Sequence, residues 1–143
     1  MFILALPGKE FQMGKQKLML FNGFLGSGKT TTMVATAKYL AERGVKVSLI
    51  TNDLGENLID TRYAKLNRVP TREIPNGCLC HDVEGFVRTI ADLLTDGEAD
   101  YVFAEPVGSC VGLVESVYKE LAASNADFEL CPFVVVVDPE RYR

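Results

Sequence analysis

Residues 23–30 read Gly-Phe-Leu-Gly-Ser-Gly-Lys-Thr and match G-x-x-x-x-G-K-[ST] at every fixed position. Such a loop works only between a strand and a helix, and the flanking sequence offers both. Residues 17–21 form a short apolar run. Residues 30–43 place Met33, Val34, Ala37, Leu40 and Ala41 on one helical face, and Gly44 supplies a stop. Gly23, Gly26 and Gly28 let the backbone curl until its N–H groups converge on phosphate oxygens, and the helix N-terminus adds partial positive charge. Lys29 then reaches the β- and γ-phosphates, and the Thr30 hydroxyl is placed to ligate Mg²⁺. Ser27 and Thr31 complete the expected nucleotide-binding set. The competing reading is a glycine-rich turn that happens to precede a helix, and the full motif in its strand-to-helix context weighs against it.

The rest of the chain fits the architecture this loop demands. Strands are expected over residues 45–51, 69–74, 101–104 and 133–137. A helix capped by Asp82 repeats Val83, Phe86, Val87, Ile90, Leu93 and Leu94 at helical spacing and ends at Gly97; another is expected over residues 111–123. Near-continuous apolar strands separated by helices imply a mostly parallel sheet covered on both faces. The expected fold class is α/β, a three-layer P-loop NTPase fold in one domain spanning residues 1–143.

Composition excludes several partners. Fifteen Lys and Arg against nineteen Asp and Glu give a net charge of −4, so neither nucleic acid nor an anionic membrane is an expected partner. No apolar run is long enough to span a bilayer. Residues 1–6 are apolar but lack a basic lead, which argues against a secretory signal. Two of the four cysteines stand one residue apart, unlike a stapled secreted scaffold, so a reducing cytoplasm is the expected compartment.

Those two cysteines lie in Asn76-Gly77-Cys78-Leu79-Cys80-His81, which also holds the chain's single histidine. In extended backbone, residues two apart point the same way, so Cys78 and Cys80 can face one ion together. The Asn-Gly turn lets His81 join them. Two thiolates and an imidazole suit zinc and its neighbours, and three ligands leave a position open for exchange. Two core cysteines beside a surface histidine is one alternative, and a redox pair, whose small ring would strain a disulfide, is another.

With these motifs in place, residues 17–143 resemble the CobW-like GTPases, relatives of the UreG and HypB nickel-insertion GTPases. Four landmarks carry the resemblance in order: the phosphate loop; Asn52-Asp53-Leu54-Gly55-Glu56-Asn57-Leu58-Ile59-Asp60, similar to the family's first switch; Gly77-Cys78-Leu79-Cys80-His81, in place of its G-C-x-C-C metal motif; and Glu105-Pro106-Val107-Gly108, similar to its E-x-x-G second switch. The resemblance implies a slow GTPase with GTP and Mg²⁺ as ligands. It implies that Lys29, Glu105 and Asp53 would act in hydrolysis, Glu105 by ordering Mg²⁺ or the attacking water, that Thr30 and Asp53 would hold Mg²⁺, and that Gly108 would contact the γ-phosphate. It further implies that Cys78, Cys80 and His81 would bind zinc, cobalt or nickel for a client metalloprotein. A nucleotide-bridged homodimer is the implied assembly.

Two departures stand out: Asp53 where the family has Glu, and His81 for its last cysteine. The family's guanine-reading N-K-x-D motif is not found in these 143 residues, so the domain is expected to be incomplete and GTP over ATP rests on resemblance alone. Glu56 and Asp60 are weaker metal-ligand candidates, Asp138 fits a turn, and Cys110 and Cys131 fit structural roles. A small-molecule kinase, a partitioning-type ATPase and a non-catalytic nucleotide-binding module are the rival functions.

Overall fold

The computed structural model describes residues 15–51, 64, 66–73, 83–95, 99–105, 117–123 and 127–140. Its elements run β1 (Lys17–Asn22), α1 (Lys29–Ala41), β2 (Val47–Thr51), β3 (Thr71–Glu73), α2 (Val83–Thr95), β4 (Tyr101–Ala104), α3 (Lys119–Ala123), β5 (Glu129–Leu130) and β6 (Val134–Val135). The strands form one sheet in the order β3-β2-β4-β1-β5, with β6 also on β1, and all pairings are parallel. The α/β, mostly parallel architecture expected from the sequence is therefore present.

Period-two alternation decides which face each strand residue serves. Leu18 and Leu20 of β1, Ile50 of β2, and Val102 and Ala104 of β4 pack with Phe86, Ile90 and Leu93 of α2 and Leu121 of α3. Phe21, Val47, Leu49 and Phe103 point the other way, onto Met33, Val34 and Ala37 of α1. Among the described residues α1 covers one face and α2 and α3 the other, which makes three layers.

Helix α1 ends as its sequence requires. Gly44 takes φ 78°, its N–H donates to the Ala41 carbonyl at 3.0 Å, and the Val45 N–H donates to the Leu40 carbonyl at 3.1 Å. This pair of reversed bonds satisfies the last carbonyls of the helix, and the left-handed residue it needs is a glycine.

The edge strand departs from expectation. In place of one strand over residues 133–137, two short pieces flank Pro132. Leu18 pairs with Leu130 and Phe21 with Val134, so Met19 and Leu20 face three residues, Cys131, Pro132 and Phe133. Proline has no N–H for the ladder, and one extra residue bulges out there. Before the break the Cys131 N–H donates to the Leu18 carbonyl (2.8 Å), and after it the Val136 N–H donates to the Asn22 carbonyl (2.7 Å). The β5 piece was missed in the sequence because two residues carry no periodic signal. Of the helix expected over 111–123, only the last turns fall among the described residues. The Asp82 cap lies outside them. No helix among them is long and apolar enough to cross a membrane.

Phe103 is fully buried and packs its ring on Phe21 at a centroid distance of 5.2 Å. Phe103→Ala is expected to cost about 3–5 kcal/mol of stability, read as a lowered urea midpoint with an unchanged slope.

Candidate functional site

Adjacency of β1 and β4 builds the site. Their register, Lys17 with Tyr101 through Leu20 with Ala104, brings both strands to the same sheet edge together. From β1 the chain enters the glycine loop and then α1; from β4 it delivers Glu105. The Glu105 N–H donates to the Ile50 carbonyl at 3.1 Å, extending the ladder to β2 by one rung and fixing where the carboxylate leaves the sheet.

In the loop, Gly23, Gly26 and Gly28 take φ of 147°, 78° and 91°, values that side chains with a Cβ rarely accept. Gly28 is the N-cap of α1 with no side-chain cap, so the first N–H groups of the helix, which have no intrahelical partners, face the loop. The Ser27 N–H closes a turn on the Phe24 carbonyl at 3.0 Å, and the Asn22 side-chain oxygen accepts from the Gly23 N–H at 2.8 Å. Lys29 is buried, and its ammonium folds back over the loop to the Phe24 carbonyl at 3.1 Å. Thr31 is exposed in the first turn of α1, while Phe24 and Leu25 project from the loop tip.

One contact spans the two strands. The Thr30 hydroxyl lies 3.0 Å from each carboxylate oxygen of Glu105 and donates into the pair. Both residues are buried, Glu105 with only 2% of its surface exposed. A carboxylate so placed needs donors, and one hydroxyl from 75 residues earlier is such a donor. Thr30 and Glu105, singled out separately in the sequence, are thus one unit.

Two contributors carry no sequence signal because they act through backbone or a local amide. A Cβ on Gly23 would stand 2.3 Å from the Val136 carbonyl oxygen, so the edge strand lies directly against the loop's first glycine. Asn22 joins the two, taking the Val136 N–H on its carbonyl and the Gly23 N–H on its side chain.

Asp53, Cys78, Cys80, His81 and Gly108 lie outside the described residues, as do Glu56, Asp60 and Cys110. Among the described residues no cluster of three or more His, Cys, Asp or Glu could hold a metal ion. Cys131 is buried, and burial, reinforced by Glu129, raises its thiol pKa, so it stays protonated and is a poor metal ligand, in keeping with a structural role. Asp138 forms the expected turn, its Oδ1 accepting from the Glu140 N–H at 3.0 Å.

Comparison with known proteins fixes the family. The model of the CobW/HypB/UreG nucleotide-binding domain matches residues 17–143. The chain belongs to this family. Among its relatives, the zinc chaperone YeiR of Escherichia coli (strain K12) is 34% identical over 91 residues, covering 62% of this chain and 27% of that protein. The zinc-regulated GTPase metalloprotein activator 1 of Dictyostelium discoideum is 29% identical over 110 residues, 66% of this chain and 22% of that protein. The chain thus spans less than a third of the length of these curated relatives. Among solved structures, the hydrogenase maturation factor HypB of Archaeoglobus fulgidus superposes with a TM-score of 0.54 at 18% identity over 85% of this chain and 53% of that one, a likeness of fold. The signal recognition particle 54 kDa protein of Aeropyrum pernix K1, solved with GDP, gives a TM-score of 0.56 at 27% identity over 78% of this chain and 25% of that one.

In this CobW/HypB/UreG domain the close approach at Gly23 sets a test. Gly23→Ala drives a methyl into the Val136 carbonyl, and overpacking of this kind costs about 1–3 kcal/mol. A lower melting temperature and a loss of about tenfold or more in GDP affinity are expected, read by thermal unfolding and fluorescent-GDP titration. Wild-type values for both would show that the edge strand does not confine the loop.

Proposed function

We propose that this domain binds and slowly hydrolyses GTP and uses the nucleotide state to control a transition metal held for delivery to a client protein. The observation that carries the nucleotide half is the buried Thr30–Glu105 pair beside a complete phosphate loop. Membership of the family, the word GTPase in the Dictyostelium relative's name and the GDP of the Aeropyrum structure support guanine as the base.

The donor set fits Mg²⁺: a hydroxyl and a carboxylate are hard oxygen ligands, here 3.0 Å apart. Bound there with nucleotide, Mg²⁺ would supply charge neutralisation at the β- and γ-phosphate oxygens. The chain's own residues account for the rest. Backbone N–H groups of the loop and of the first turn of α1 hold phosphate oxygens. Lys29 exchanges the Phe24 carbonyl for phosphate, a stronger charge-assisted partner. Glu105, with Asp53 from the first switch segment, orients the attacking water, and Gly108 contacts the γ-phosphate; loss of that phosphate releases both switch segments.

For the metal half, zinc, cobalt or nickel is cargo, and Cys78, Cys80 and His81 are the proposed ligands. The names of the Escherichia coli and Dictyostelium relatives support a role in zinc handling, and a nickel complex of HypB from Helicobacter pylori shows that a protein of the same fold can be solved with that metal. A reducing compartment such as the cytoplasm would keep the two thiols available.

Glu105→Gln is expected to lower the GTP hydrolysis rate by about 10²–10³-fold, the range for removing one preorganised electrostatic group, while GDP affinity changes far less. Unchanged turnover would leave a non-catalytic binding module. Cobalt titration of the reduced protein, following thiolate-to-metal absorption, tests the second half. Cys78→Ala, Cys80→Ala and His81→Ala should each weaken binding, and a non-hydrolysable GTP analogue should change the wild-type affinity. Equal metal affinity in both nucleotide states would end the coupling.

A further inference from the structure

Ser27 has a feature that the phosphate-loop reading does not use. Its hydroxyl oxygen is buried and has no hydrogen-bond partner. It lies 2.7 Å from the point where a Cβ on Gly23 would stand, and the Val136 carbonyl oxygen lies 2.3 Å from that same point. The two oxygens therefore flank one small space that only a glycine leaves open. The parallel ladder explains why the Val136 carbonyl is there. The Val136 N–H already donates to Asn22, so the next rung would take the Phe24 N–H to the Val136 carbonyl. The chain instead turns away at Gly23 into the loop, and that rung is missing from β1.

We propose that the Ser27 hydroxyl replaces this missing rung, donating to the Val136 carbonyl when the loop closes on a nucleotide, and so acts as a positioning residue that ties phosphate occupancy to the edge strand. The inference rests on the nucleotide reading of the site. The physical case is an imbalance. A buried hydroxyl without a partner is costly, and a backbone carbonyl oxygen, which can accept two hydrogen bonds, borders the same space. A small tightening of the loop, of the kind that phosphate contacts to the flanking Gly26–Thr30 backbone impose, gives the hydroxyl its acceptor. The bond then contributes to nucleotide affinity without touching the nucleotide.

The sign of the effect separates this role from an ordinary structural one. In ligand-free protein, Ser27→Ala removes an unsatisfied hydroxyl and should leave the melting temperature unchanged or slightly raised. In the presence of saturating GDP the same variant should be less stabilised than wild type, with GDP affinity lower by about 2- to 10-fold, the range of one net hydrogen bond. The direct readout is the ¹³C shift of the Val136 carbonyl, which should move downfield when wild type binds GDP and stay in place when Ser27→Ala binds it. A Val136 shift that responds identically in both proteins overturns the proposal, as does a variant that loses stability equally with and without GDP. If wild type binds no GDP, the nucleotide reading fails and takes this inference with it; GDP binding with an unresponsive Val136 overturns the inference alone.

Discussion

Parallel pairing of β1 with β4 is the constraint on which the site depends. It aligns the C-terminal ends of a strand that runs into a glycine loop and a strand that runs into a glutamate. Sheet spacing of about 4.8 Å then leaves the first turn of α1 within one hydroxyl's reach of the carboxylate. Had β2, the next strand in sequence, paired with β1, Glu105 would have come out one strand further away. The Thr30–Glu105 bond turns this topology into local chemistry. Hydrogen bonds to charged groups are worth about 1.5–3 kcal/mol, and a buried carboxylate without donors would cost more than that. The fold thus holds an acid and a hydroxyl together at low solvent exposure.

Both sides of the phosphate loop are constrained, by different means. On the α1 side the constraint is electrostatic: orphaned N–H groups and Lys29 face inward. On the edge-strand side it is steric and comes from backbone, the Val136 carbonyl standing where a Gly23 Cβ would be. The bulge at Pro132 makes the second constraint possible. By inserting one residue between the Leu18–Leu130 and Phe21–Val134 pairs, it shifts the ladder so that Val136 arrives beside Gly23. The residues that set the tightness of the loop therefore lie more than a hundred positions away, in a strand with no motif of its own.

That distance explains what could be read in the sequence. The strand–loop–helix unit was legible because each requirement is local: glycines where φ is positive, a lysine and threonine at fixed offsets, a 3.6-residue apolar period ending at Gly44. Strands β2 and β4 were legible as apolar runs. The alliance of Thr30 with Glu105 was not, since only strand order brings them together and no periodicity encodes strand order. The splitting of the edge strand could have been suspected from Pro132 just ahead of a β-branched run, but that run at 133–137 drew the whole strand to itself and masked the piece before the proline. Asn22 and Val136 escaped notice because one acts by an amide to its neighbour and the other through a carbonyl that any residue carries.

Strand order also bears on how a nucleotide and a metal could communicate in this domain. Strand β3 lies two places from β4 in the sheet, about 10 Å at ordinary strand spacing. All these strands are parallel, so the chain leaves β2, β3 and β4 at the edge where the phosphate loop sits. Cys78 comes five residues after the end of β3, a reach of at most about 17 Å for extended chain. Connectivity alone therefore gives the proposed metal ligands the reach to meet the segment that follows Glu105. A nucleotide–metal coupling of the proposed kind would start from that reach. It would act through differential contacts in two nucleotide states, the requirement for any ligand to shift an equilibrium.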